Sequence, residues 1–88
     1  MAKQFKLSLL TPNEPIFQGM VNSLVIPAEE GYWGILAMHM PSIIRLKKGR
    51  VRVKINGEEK EWEIKGGYAW VERDETALLV ELSEKEQD

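Results

Sequence analysis

Apolar and polar residues alternate along most of the chain, and turn-forming residues break the alternation every few positions. Both are marks of short strands, because successive side chains on a strand point to opposite faces. Phe5, Leu7 and Leu9 alternate with Lys6 and Ser8, and Thr11-Pro12-Asn13-Glu14-Pro15 ends that run. Two prolines this close exclude both a helix and a central strand. Ile16 to Gln18 reads as a brief strand with Gly19 as a kink or bulge, and Val21 to Pro27 as the next strand. Ala28-Glu29-Glu30-Gly31 reads as a turn and Tyr32 to Leu36 as another apolar strand. Ala37 to Pro41 reads as a loop, since residues before proline avoid the helical region, and Ser42 to Leu46 as a short strand closed by Lys47-Lys48-Gly49.

The sharpest local signal is Asn56-Gly57 between Arg50–Ile55 and Glu58–Ile64. A type I′ hairpin turn needs two positive φ angles, which Asn-Gly supplies. A two-residue loop fixes the register. It sets Ile55 opposite Glu58, Lys54 opposite Glu59, Arg52 opposite Glu61 and Arg50 opposite Glu63, with Val51 opposite Trp62 on the other face. A slip by one residue would carry the charges into the core. The charge ladder therefore reads as a solvated sheet face, and Trp62 as a core-side residue. Gly66-Gly67 reads as a turn, and Tyr68 to Glu72 and Thr76 to Leu82 as strands around Arg73-Asp74-Glu75. The whole pattern predicts an all-β domain of about eight to ten short strands, a sandwich or a barrel. Residues 1–82 form this domain and residues 83–88 a polar tail. Ser83 and Glu86 have the spacing of a capping box, but no apolar face follows them.

At 88 residues with a 43% hydrophobic fraction, one small core is all the chain can build, with a thin margin of stability. Net charge is −2, from 12 basic and 14 acidic residues, so the basic excess of a nucleic-acid binder is missing. With no cysteine there is no disulfide framework, thiolate zinc site or cysteine nucleophile. The N-terminus lacks the apolar stretch of a secretory signal, and no run reaches the ~20 apolar residues of a membrane span. The expectation is contact with a membrane only through a partner. His39 is the one histidine, and no motif supplies it with a nucleophile or fellow metal ligands. No Walker A or dinucleotide fingerprint is present. The expected catalytic residues, metal ligands and cofactors are none.

Glu29 to Pro41 stands apart, with Tyr32, Trp33, Met38, His39 and Met40 around two glycines, Gly31 and Gly34. Aromatics and methionines are typical of interface cores. Trp33 and Ile35 are read as core residues, and Tyr32, Met38, His39 and Met40 as candidates for a partner surface. A competing reading is a small β-barrel that binds nucleic acid or oligosaccharide. Tyr32, Trp33, Trp62, Tyr68 and Trp70 would then form a stacking platform.

Several segments, in order, resemble one family. They are Phe5-Lys6-Leu7-Ser8-Leu9-Leu10-Thr11-Pro12, then Ile16-Phe17-Gln18-Gly19 with Val21, Ser23, Leu24 and Pro27, then Glu30-Gly31, Gly34-Ile35-Leu36, His39 and Pro41. Leu46-Lys47-Lys48-Gly49 with Val51-Arg52, and Gly66-Gly67-Tyr68 with Val71-Glu72, continue the series. Together they resemble the N-terminal β-sandwich domain of the epsilon subunit of F-type ATP synthases. The resemblance implies a flattened sandwich of mainly antiparallel strands. It also implies a non-catalytic central-stalk role, linking the gamma subunit to the c-ring at the cytoplasmic face of the membrane. The implied gamma-facing residues are Met38, His39, Met40 and Pro41, and the implied c-ring-facing residues are Glu29, Glu30, Gly31 and Tyr32. No nucleic acid is implied, and the isolated subunit would be a monomer. The family usually has an acidic residue after the first glycine and Pro-Gly before the histidine. Here Tyr32 and Ala37-Met38 stand in those places, which points to a more apolar gamma contact and leaves Glu29 or Glu30 as the acidic group toward the ring. Most members continue into a C-terminal helical hairpin that can inhibit rotation. The sequence stops about where it would begin, as a naturally short subunit or a shortened one, so hairpin-based inhibition and nucleotide binding are not expected.

Overall fold

A computed structural model describes residues 3–83. The described residues form β1 (Phe5–Leu10), β2 (Pro15–Val21), β3 (Ser23–Ala28), β4 (Gly31–Ile35), β5 (Ser42–Leu46), β6 (Gly49–Ile55), β7 (Glu58–Val71) and β8 (Glu75–Leu82). The polar tail expected over 83–88 lies outside the described residues apart from Ser83.

β7 organises the fold. Its first half, Glu58–Ile64, pairs with β6, and its second half, Gly67–Val71, pairs with β5. β5 and β6 therefore run end to end in one direction along a single long partner. They break at Lys47–Lys48, opposite the place where β7 shifts register against β8 between Ile64 and Gly66. That shared kink is the corner of a sandwich. On one side lies a layer ordered β2-β1-β8-β7-β5, and on the other β7-β6-β3-β4. The pairings are antiparallel except β1 with β8. The β1, β3, β6 and β8 alternations point Phe5, Leu7, Leu9, Leu24, Ile26, Val51, Val53, Leu78 and Val80 inward, and all are buried. The all-β sandwich is thus as the alternation predicts.

The Asn56-Gly57 hairpin has the register read from the sequence, from Ile55↔Glu58 to Gly49↔Ile64. Asn56 and Gly57 have φ of 49° and 89°, as a type I′ turn requires. Glu61 takes both Arg52 (3.2 Å) and Arg50 (3.6 Å) on the exposed face. Pairs this exposed contribute little to stability, so the ladder sets register more than it adds strength. Trp62, opposite Val51, is half-buried against the core, with its ring 5.8 Å from that of Phe17.

Three expectations need correction. Gly66-Gly67 is not a turn but part of β7, where the strand bends from one layer into the other. The bulge expected at Gly19 is absent, because Gly19 pairs regularly with Leu7. The irregularity falls instead at Ile16, between the pairs Leu9↔Phe17 and Leu10↔Pro15, beside a proline that has no N–H to give. Trp33 is not core: it is 40% exposed. It shares a face with buried Ile26, but in the described sheet β4 is an edge strand, and no strand beyond it covers the indole.

Among the described residues, one buried side-chain group lacks a partner. Thr76 sits on the inner face of β8 between Leu7 and Val71, and its Oγ1 finds no hydrogen bond among the described residues. An unsatisfied buried hydroxyl costs about 1–3 kcal/mol, and valine has nearly the same shape. Thr76→Val should raise the thermal midpoint by roughly 4–8 °C, as about 1 kcal/mol does in a domain of this size. A lowered midpoint in a melting experiment would contradict this account of Thr76.

Candidate functional site: two loops and an apolar sheet face

β4 and β5 connect the two segments picked out in the sequence. At one end, Glu29 and Glu30 form the two-residue tip of the β3–β4 hairpin, between the paired Ala28 and Gly31. At the other end, Leu36 to Pro41 joins β4 to β5. A five-residue strand separates them, about 16 Å at ~3.3 Å per residue. The structure thus brings each candidate set together within itself and sets the two apart.

At the tip, Glu29 pairs with Arg45 of β5 at 3.7 Å, with both side chains exposed. Tyr32 projects to the outer face of the second layer. The backbone N–H of Arg50 donates to its hydroxyl at 3.3 Å. Gly49 makes that approach possible, since a Cβ there would fall 2.7 Å from the Pro27 Cβ and 2.9 Å from the Tyr32 hydroxyl. Tyr32 is therefore held across the sheet toward β6 and remains 58% exposed.

In the opposite loop, the Met38 N–H donates to the Arg73 carbonyl at 2.8 Å and ties the loop to the β7–β8 turn. Met38 takes φ of 70°, left-handed for a residue that is not glycine. That conformation costs an ordinary residue about 1–2 kcal/mol. Among the described residues, Met40 is the most exposed of the large apolar side chains at 73%. His39 Nδ1–H donates to the Met40 carbonyl at 2.8 Å, and the Ser42 hydroxyl donates to the same carbonyl at 3.0 Å. Both polar groups are spent on the loop's own backbone rather than on each other, so they do not make a base–nucleophile pair.

The structure adds a surface that the sequence reading missed. On the outer face of the first layer, Ile43 pairs with Trp70, and Tyr68 pairs with Leu79. All four are large, apolar and exposed, from 39% for Leu79 to 70% for Ile43. The Tyr68 and Trp70 rings lie 6.4 Å apart, and Leu10 of β1 pairs with Leu79 from the far side. Trp33 carries the apolar surface around the edge, where it lines a shallow cleft of about 360 Å³ with Ile43, Ile44 and Arg45. The signal was present in the sequence. Ile43-Ile44, Tyr68-Ala69-Trp70-Val71 and Leu78-Leu79-Val80 are continuous apolar runs rather than alternations. Strands apolar on both faces are strands covered on both faces. The five aromatics proposed as a stacking platform do not share a face. Tyr32 lies over β6, Trp62 leans on Phe17, and Tyr68 and Trp70 lie on the other layer.

Comparisons with known proteins agree with this architecture. Residues 4–86 match the family described as ATP synthase, Delta/Epsilon chain, beta-sandwich domain. Among curated relatives, the ATP synthase epsilon chain of Syntrophobacter fumaroxidans is 35% identical over 97% of this chain and 63% of its own length. That of Dichelobacter nodosus is 38% identical over 92% and 57%. This chain thus spans only part of the relatives it matches. A chain from a structure of the Euglena gracilis mitochondrial ATP synthase, comprising OSCP, F1 and c-ring, superposes with a TM-score of 0.83. It is 29% identical over 88% of this chain and 50% of that one. A chain from the Tetrahymena thermophila mitochondrial ATP synthase central stalk and c-ring shares the fold, with a TM-score of 0.75 at 18% identity over 91% and 65%. From its matched residues and its sandwich, the chain belongs to the β-sandwich domain family of ATP synthase delta and epsilon chains.

Proposed function

We propose that this domain is a non-catalytic coupling element of the central stalk of an F-type ATP synthase, holding the gamma subunit and the c-ring in a fixed relation. The observation that carries the proposal is the exposed apolar face of Ile43, Tyr68, Trp70 and Leu79, continuous with the Met38–Pro41 loop. So much apolar surface on so small a domain marks a protein contact. Its relatives are named ATP synthase epsilon chains, and a structural neighbour comes from a central stalk and c-ring assembly. The gamma subunit would seat on this face, with Met38, His39, Met40 and Pro41 at its rim. Glu29, Glu30, Gly31 and Tyr32, at the far end of β4, would meet the c-ring. The function is binding: torque passes through a stiff two-layer sandwich whose ends are joined by β4 and β5. No helix among the described residues is long and apolar enough to cross a membrane, and the proposed site of action is peripheral, at the cytoplasmic face, as part of the complex.

The loop provides a direct test. Met38 and Met40 are exposed, so aspartate at both should leave the fold intact. In a gamma interface the two carboxylates would be stripped of water, and affinity should fall at least ~10-fold. Undiminished capture of gamma by Met38→Asp/Met40→Asp, in titration calorimetry, would remove the loop from the interface.

A further inference from the structure

Met38 and Asn56 are the described residues other than glycine that have positive φ. Asn56 occupies a turn that favours asparagine. Nothing local favours methionine at 38. Its N–H bond to Arg73 pins the loop beside the end of β7, three residues beyond Trp70. Glycine would adopt this backbone without strain. The side chain does not repay the strain by burial, since it is 51% exposed. For folding alone, the residue at this position is poorly chosen.

Resting on the functional reading above, we infer that the Met38 side chain is a specificity-determining anchor, entering an apolar pocket on the subunit that covers the Ile43–Trp70 face. The left-handed backbone and its tie to Arg73 fix where the Cα–Cβ bond starts. The unbranched thioether then adapts to the pocket wall, as methionine does at contact surfaces. Strained residues persist where the strain serves a function. Position 38 would thus trade fold stability for partner affinity, and the trade predicts that two measurable quantities move in opposite directions.

The test uses the full chain and the gamma subunit of the same source, with Met38→Gly and Met38→Leu compared with the unaltered protein. Met38→Gly relieves the strain, less glycine's own entropy, and should raise the melting midpoint by roughly 2–8 °C. It removes the anchor, so the Kd for gamma should rise about 10-fold or more. Met38→Leu keeps the strain and the apolar mass and should bind within about threefold of the unaltered chain. If Met38→Gly binds as tightly as the unaltered chain, or melts lower, the inference is overturned while the coupling role stands. If the unaltered chain itself fails to bind gamma, the coupling role falls and takes the inference with it.

Discussion

Gly67→Ala should unfold this domain or bring it close to unfolding, whereas Gly66→Ala, one residue earlier, should be nearly silent. Gly67 has φ of 151°, and a Cβ there would lie 2.2 Å from the Leu79 carbonyl oxygen and 2.8 Å from the Val80 Cα. Those are backbone atoms of β8, so no rotamer change can clear them. Moving β8 away would break the Gly67↔Val80 and Tyr68↔Leu79 pairings, and Gly67 is also paired with Leu46 on its other side. Strained backbone and forced overpacking together cost roughly 3–6 kcal/mol. Small domains have about 5–15 kcal/mol in all, and this one has a small core. The expected drop in melting midpoint is at least ~15 °C, read by circular dichroism. At Gly66 the added Cβ would only touch the Leu46 carbonyl oxygen at 3.4 Å, in ordinary backbone conformation. Equal, mild effects at both glycines would show that β7 does not turn the corner in the way described.

The contrast between these two glycines also shows what could and could not be read from the sequence. Asn56-Gly57 was legible because a two-residue hairpin is a local object: turn chemistry sets φ, and strand period sets every pairing from Ile55↔Glu58 onward. Gly66-Gly67 offers the same residue type, but its role depends on β8 crossing close over β7, a contact made by residues that lie later in the chain. Two glycines are as compatible with a bend inside a long strand as with a turn between two short ones. Trp33 failed for a related reason. Its side of β4 is fixed by alternation, but its burial depends on whether another strand lies outside β4. The Met38–Pro41 loop was legible through the apolar residues placed in it and the proline that closes it. The Ile43–Trp70 face was legible only in part: the apolar runs mark strands apolar on both faces, but which residues meet depends on the pairing of β5, β7 and β8.

That face carries the second large effect: Ile43→Asp should abolish gamma binding at working concentrations without harming the fold. Ile43 is 70% exposed, so aspartate stays hydrated in the free domain, and the melting midpoint should change little. In the complex, its position opposite Trp70 would bring the carboxylate into the apolar centre of the contact. Arg45, two residues along β5 on the same face and opposite Tyr68, is the nearest base and is already paired with Glu29 at 3.7 Å. Burying a charge this way costs about 2–5 kcal/mol, some 30- to 5,000-fold in Kd. Trp70→Ala supplies the complementary measurement, because it introduces no charge and only removes contact area. An aromatic at the centre of an interface is worth about 2 kcal/mol or more, at least ~30-fold. Arg52→Ala, on the charged face of the other layer, serves as the control and should bind normally. The pattern that supports the face is a large loss for Ile43→Asp, a smaller one for Trp70→Ala, and none for Arg52→Ala. If Arg52→Ala is the variant that fails while the other two bind, gamma sits on the opposite layer. The Ile43–Trp70 face would then have to be covered by something else.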